Sequence, residues 1–279
     1  MTDSAADYTP QELKEKKIIC VPLSVSFGTE TFYDRTDIDT DAFYNRLMEG
    51  NVLPKTSQPS PDQYLVYFEQ ARKNGDDIIC VTISSALSGT YQCASIAKEM
   101  ADYDNIYIID SLTATVPQRI IVDFIRSMID KGHPALEIIG AVEVFKSRVK
   151  VLAMVDTLEY LYKGGRLTAA QAFIGDALNM KPLITVTEDG KVSAFGKAMG
   201  KCRAYKTLLA KLEENPPDEN IPVVFLYSYD EENCIEFKKK FANKFPHLKY
   251  EEKFVNIGSA VGAHIGPGAV AVAYVEKQG

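Results

Sequence analysis

Ile78-Ile79-Cys80-Val81-Thr82-Ile83-Ser84-Ser85-Ala86-Leu87-Ser88-Gly89-Thr90 holds the fold in miniature. Ile78 to Ile83 is apolar or β-branched almost without polar interruption, as a strand covered on both faces requires. It runs into a serine-rich turn, and a helical pattern begins after Gly89. Similar runs occur at Ile18 to Val25, Ile106 to Ile109 and Val151 to Val155. Helical patterns lie between them. Ser60-Pro61-Asp62-Gln63 opens one, with Ser60 to cap, Pro61 suited to the first turn and Gln63 to complete a capping box. Asn74-Gly75 ends it. Two more helices fill Ile120 to Val149, broken near Gly132-His133-Pro134. Strand, helix, strand, helix predicts an α/β domain of three layers around a mainly parallel sheet.

The second half reads differently. Pro182 to Val186 and Lys191 to Phe195 flank Asp189-Gly190, a hairpin signal. A helix over Lys201 to Glu213 ends at Pro216-Pro217, and Val223 to Tyr227 is a strand. A helix over Glu231 to Lys244 and strands near Phe254 and at Ala269 to Tyr274 close the chain. This pattern predicts an α+β domain with a mixed or antiparallel sheet. The expected domains are residues 1–155 and 156–279.

The 279 residues, 46% hydrophobic and 25% charged, are long enough to bury a substantial core. A formal net charge of −7 argues against a general nucleic-acid binder. The five cysteines, Cys20, Cys80, Cys93, Cys202 and Cys234, form no CxxC or Cys/His metal pattern. Buried free thiols in a reducing compartment are expected. Met1-Thr2-Asp3-Ser4 is followed by no apolar leader, and no run of eighteen apolar residues occurs. A cytoplasmic protein is the expectation.

Three places could carry chemistry. Lys55-Thr56-Ser57-Gln58-Pro59-Ser60 and Ser84 to Thr90 gather hydroxyls just before helices, where free N–H groups and the helix dipole favour an anion. Helix capping explains the same residues. In open α/β sheets ligands sit beyond the carboxyl ends of strands, where Ser88 falls. The run Gly258 to Gly268 matches neither GxGxxG nor GxxxxGK[ST]. It contains His264 between Ala263 and Ile265, where a satisfied structural histidine is the plain alternative. In Gly164-Gly165-Arg166 the glycines end a helix, and Arg166 suits an anion, a partner surface or an ordinary ion pair. No GxSxG, HExxH or CxxC is present. A hydrolase using Ser88, or a phosphotransfer enzyme using His264, is the competing class. A lipid-sensing regulatory protein is another.

Taken together the chain resembles the DegV family of bacterial fatty-acid-binding proteins. The likeness rests on Thr2-Asp3-Ser4-Ala5-Ala6-Asp7, Val21-Pro22-Leu23 with Phe27-Gly28, and Thr56-Ser57-Gln58-Pro59-Ser60. It continues in Ser88-Gly89-Thr90-Tyr91, Gly164-Gly165-Arg166 and Gly262-Ala263-His264-Ile265-Gly266-Pro267-Gly268. The resemblance implies two α/β domains enclosing one acyl chain of the palmitate, stearate or oleate class, with no other cofactor, no metal and no catalysis by the chain itself. It implies that Thr56 and Ser88 hold the carboxylate with His264 near it, supported by Ser57, Gly89 and Thr90. It further implies delivery to a separate ATP-dependent fatty acid kinase for phospholipid synthesis, with Arg166 facing that partner, and transient contact with a membrane surface. Three departures stand out. Met1 directly precedes Thr2, where the family usually has a short apolar strand. Thr115-Val116-Pro117-Gln118-Arg119 replaces a glycine-rich stretch, and Met199 stands where the family has an arginine.

Overall fold

The computed structural model describes residues 1–50, 52–168 and 179–278. Four strands form a parallel sheet in the order Cys20–Val21, Thr2–Asp3, Ile78–Thr82, Ile106–Asp110. One face is covered by helices Thr115–Asp130 and Ala135–Lys146, through Ile121, Ile125, Ile138 and Val142. The other is covered by Pro61–Asn74 and Thr90–Ala101, whose Tyr64, Phe68, Ala94 and Ala97 pack on Cys80 and Ile106. The predicted three-layer parallel unit is therefore present. Helix Pro61–Asn74 begins and ends at the predicted signals: Ser60 N donates to Gln63 Oε1 at 2.9 Å, and Gly75 closes it.

The larger sheet has six strands in the order Val192–Met199, Met180–Val186, Val149–Met154, Val270–Val275, Val224–Tyr227, Val255–Asn256. It is antiparallel except for its last pair. The predicted hairpin pairs Val186 with Val192, and Gly190 takes the left-handed conformation its turn requires. Val149–Met154, read from sequence as a parallel strand, is antiparallel to both neighbours. An uninterrupted apolar run reports burial on two faces, not strand direction.

Ile18 to Val25, read as one strand, is two. Cys20–Val21 joins the parallel sheet, and Ser24–Phe27 joins a small antiparallel sheet with Glu30–Tyr33 and Lys55–Ser57. The break falls at Pro22, which has no N–H to continue a ladder. Helix Thr40–Met48, unpredicted, packs Phe43 and Tyr44 beneath the small sheet. All five cysteines are free. Cys80 and Cys234 are buried, Cys20 and Cys93 are half-buried, and Cys202 lies exposed on a helix surface. No helix of the described residues is long and apolar enough to cross a membrane.

The six-stranded sheet is two-sided in size as well as in packing. Leu152, Met154, Val270, Val272 and Tyr274 face helices Lys201–Glu214 and Glu232–Lys244. The alternate residues Ala153, Ala271 and Ala273 face inward, with Val116, Leu161 and Ile265. A strand alternates its side chains, so small residues on every second position keep one face shallow.

Candidate functional site

That shallow face floors an apolar cavity. Ala153, Ile184, Val192, Leu226 and Ala271 come from the large sheet, and Leu23, Ile83 and Ala260 from the opposite side. Thr56, Ser88, Arg166 and His264 also line it, so four residues far apart in sequence reach one space.

Contacts join Thr56 to His264, and Arg166 to Leu87, the residue before Ser88. Thr56 Oγ1 and His264 Nε2 are 2.8 Å apart. Thr56 sits on strand Lys55–Ser57, opposite Val25. It is thus presented by a strand and not by a helix N-terminus, as the hydroxyl cluster had suggested. Its neighbour Ser57 is exposed and does not line the cavity, because adjacent strand residues face opposite ways.

Ser88 Oγ lies 2.8 Å from Thr90 Oγ1, and Thr90 is buried. Ser88 does not cap the helix. Thr90–Ala101 starts from Gly89 with no side-chain capping bond, so its first N–H groups stay available beside Ser88. Gly89 itself lies tight against the Gln58 amide: a Cβ there would meet Nε2 at 2.6 Å.

Arg166 donates from Nε to the Leu87 carbonyl oxygen at 2.9 Å and from Nη1 to that of Gly164 at 2.6 Å. It is half-buried, and burial pulls its pKa down. Both bonds go to main-chain oxygens, and among the described residues no carboxylate forms an ion pair with it. His264 is pushed down to about 4, first by burial and then by the Arg166 charge. At neutral pH the imidazole is therefore uncharged. Its Nδ1 has no hydrogen-bond partner among the described residues.

The sequence does not show what Gly164 does beside the site. It reads there as a helix end; in the structure a Cβ on it would stand 2.2 Å from His264 Nδ1. Only glycine leaves room for the ring. Thr115 lines the cavity at φ +56, in the left-handed region that disfavours β-branched residues. The backbone thus makes there a turn that glycine adopts freely, although this chain has none at that place. The other wall hydroxyl, Thr185 Oγ1, is spent on the Val151 carbonyl oxygen at 2.7 Å. Among the described residues no group of His, Cys, Asp and Glu could hold a metal ion. The arrangement suits a ligand that is mostly hydrocarbon and carries one anionic end.

Comparison with known proteins agrees with that chemistry. The family model for uncharacterised proteins of the DegV family matches residues 1–277. Protein DegV of Bacillus subtilis is 32% identical over 282 residues, covering 99% of this chain and 98% of that protein. A stearic acid-binding protein from Eubacterium ventriosum superposes with a TM-score of 0.89 at 30% identity, covering 99% of this chain and 97% of its own. A fatty-acid-binding DegV family protein from Thermus thermophilus gives 0.88 at 29% identity, with 98% of both chains covered.

Proposed function

The chain belongs to the DegV family, and on that footing we propose that it carries one long-chain fatty acid, with the acyl chain in the cavity and the carboxylate among Thr56, Ser88 and His264. One observation carries the reading: an apolar cavity lined by only a few polar side chains, with Thr56, Ser88, His264 and Arg166 among them. A fatty acid has that division of polarity. About 14 buried methylenes at about 0.8 kcal/mol each supply roughly 11 kcal/mol of transfer free energy. This exceeds the several kcal/mol lost in ordering a flexible ligand. The polar groups then set orientation more than affinity.

The chain's own part is to bind and present. A Ser–His hydrolase needs its hydroxyl on the imidazole and a third group on the other ring nitrogen. Here Ser88 pairs with Thr90, and His264 pairs with Thr56 while its Nδ1 has no partner among the described residues. The proposed recipient is an ATP-dependent fatty acid kinase that phosphorylates the presented carboxylate, with half-exposed Arg166 at the contact. Arg166→Ala should lower acyl-phosphate formation with such a kinase while oleate affinity stays within about threefold, under 1 kcal/mol. A large loss of oleate affinity with normal transfer reverses that assignment.

Denaturing extraction and mass spectrometry of the purified protein test the carrier reading. A stoichiometric fatty acid of the palmitate, stearate or oleate class is expected. If none is found, and neither palmitate nor oleate raises the Tm, the reading fails.

A further inference from the structure

Thr56, Ser88 and His264 come from three separate elements: a strand of the small sheet, the loop after a parallel strand, and helix Ser259–Ile265. Nothing in covalent connectivity fixes their spacing. One short buried segment bonds directly to the loop and to the helix, and reaches the Thr56 strand through the neighbour it pairs with. Thr2 to Asp7 is at most 3% exposed at every residue.

Asp3 Oδ2 accepts the Ile83 N–H at 2.7 Å. Ile83 is the first residue beyond strand Ile78–Thr82, in the loop that leads to Ser88. Asp3 Oδ1 accepts the Ala5 N–H at 3.0 Å and Gln118 Nε2 at 3.2 Å. Ser4 Oγ accepts the Leu23 N–H at 3.1 Å, and Leu23 leads into strand Ser24–Phe27, whose Val25 pairs with Thr56. Asp7 Oδ1 accepts the Gly258 N–H at 2.8 Å. Gly258 is the N-cap of the helix that carries His264, and it brings no capping side chain of its own.

Asp7 is held in turn by Arg35, whose Nη2 donates to Asp7 Oδ1 at 3.0 Å and to the Asn256 carbonyl oxygen at 2.9 Å. Asp34 adds a second carboxylate to the same helix start, accepting from Ser259 N at 3.0 Å and Ser259 Oγ at 2.6 Å. Asp7 and Arg35 both adopt positive φ, +59 and +58. Non-glycine residues keep such conformations where the surroundings over-determine them, which happens most often around functional sites. Burial raises the pKa of Asp3 and of Asp7 to about 6. Two buried carboxylates are a costly way to hold a core that apolar residues could fill. They do something apolar residues cannot, which is to accept directed hydrogen bonds from chosen N–H groups.

We infer that Asp3, Ser4 and Asp7 are positioning residues that set the relative places of the three carboxylate anchors: Asp3 for Ser88, Ser4 for Thr56 and Asp7 for His264. None of the three lines the cavity. They act through the main chain of the elements that do. A carboxylate held by three groups needs them placed to a fraction of an ångström, whereas an acyl chain tolerates small shifts. The segment therefore governs recognition of the acid end and not of the hydrocarbon.

The inference rests on the carrier reading, and the experiment separates the two. Affinities for oleate and for oleyl alcohol are measured in wild type, Asp7→Asn and Ser4→Ala, together with Tm. Each variant should lower the oleate-to-alcohol affinity ratio roughly fivefold or more while alcohol affinity stays within about twofold. Asp7→Asn should then have no further effect on the ratio in a His264→Ala background, nor Ser4→Ala in Thr56→Ala, because each acts through that anchor. Equal losses for both ligands, or an unchanged ratio in a folded variant, overturn the inference. If Asp7→Asn does not fold, the Ser4→Ala series decides alone, since it removes one neutral hydroxyl. A wild type that does not prefer oleate to the alcohol defeats the carrier reading itself.

Discussion

Thr56 and His264, 208 residues apart in sequence, meet through a single 2.8 Å contact between Oγ1 and Nε2. The contact joins the small sheet to the helix that closes the cavity. If the neutral imidazole donates from Nε2, the Thr56 hydroxyl keeps its own hydrogen for a ligand oxygen. A bound carboxylate would then face a hydroxyl donor, a second hydroxyl from Ser88 and the open N-terminus of helix Thr90–Ala101.

The His264 titration should report that ligand. Without ligand, burial and then Arg166 hold the ring near 4, below the usual 6.5. A carboxylate alongside favours the charged ring and raises its pKa. Binding therefore takes up protons, and affinity for the ionised acid should strengthen as pH falls from the ligand-bound pKa towards 4. NMR of the imidazole nitrogens, with and without oleate, measures both values. An unchanged ring pKa on binding would remove His264 from the head group.

Gly164→Ala should disturb the site through the same ring. The added methyl would stand 2.2 Å from His264 Nδ1 and 2.9 Å from the Tyr160 carbonyl oxygen. The ring must move, so the Thr56 contact should break, at a cost of about 1–3 kcal/mol in stability. Gly165→Ala is the control. Gly165 has φ +73 and open space around its Cα, so the substitution should cost roughly 1 kcal/mol through the backbone and leave acid recognition intact. Chemical denaturation and oleate titration of both variants check the contrast. Equal effects on recognition would show that the ring's position is not what matters.

Ala271→Phe should shorten the ligand. Ala271 floors the cavity from the middle of the large sheet. A ring there displaces about four methylenes, so oleate should bind roughly a hundredfold more weakly, about 3 kcal/mol, while laurate keeps most of its affinity. Displacement titrations with the two acids decide it. Parallel losses for both would mean that the acyl chain does not run over Ala271.

Much of the fold can be read in single stretches. Asp189-Gly190 marks its hairpin, Ser60-Pro61 and Gly75 bound their helix, and the apolar runs are strands. What local pattern does not contain is pairing. Val149–Met154 reads the same whether its neighbours run parallel or antiparallel, and Pro22 divides a run that hydrophobicity alone joins. The site follows the same rule. Hydroxyls near Thr56 and Ser88 mark candidates, but each explains itself as a cap until the fold brings Thr56 to His264. Gly164 looked like punctuation because its purpose is a ring 100 residues downstream. Ala269 to Tyr274, by contrast, alternates alanine with larger residues in plain view, and that alternation is the cavity floor.

The most direct test of carboxylate anchoring compares oleate with oleyl alcohol in wild type and in Ser88→Ala. A hydrogen bond to a charged group is worth about 1.5–3 kcal/mol, so Ser88→Ala should weaken oleate roughly tenfold or more. The alcohol, of equal length but uncharged, should bind both proteins within about twofold of each other. Equal losses for the two ligands would contradict the account: Ser88 would then shape the cavity wall, and the carboxylate would have to be held elsewhere.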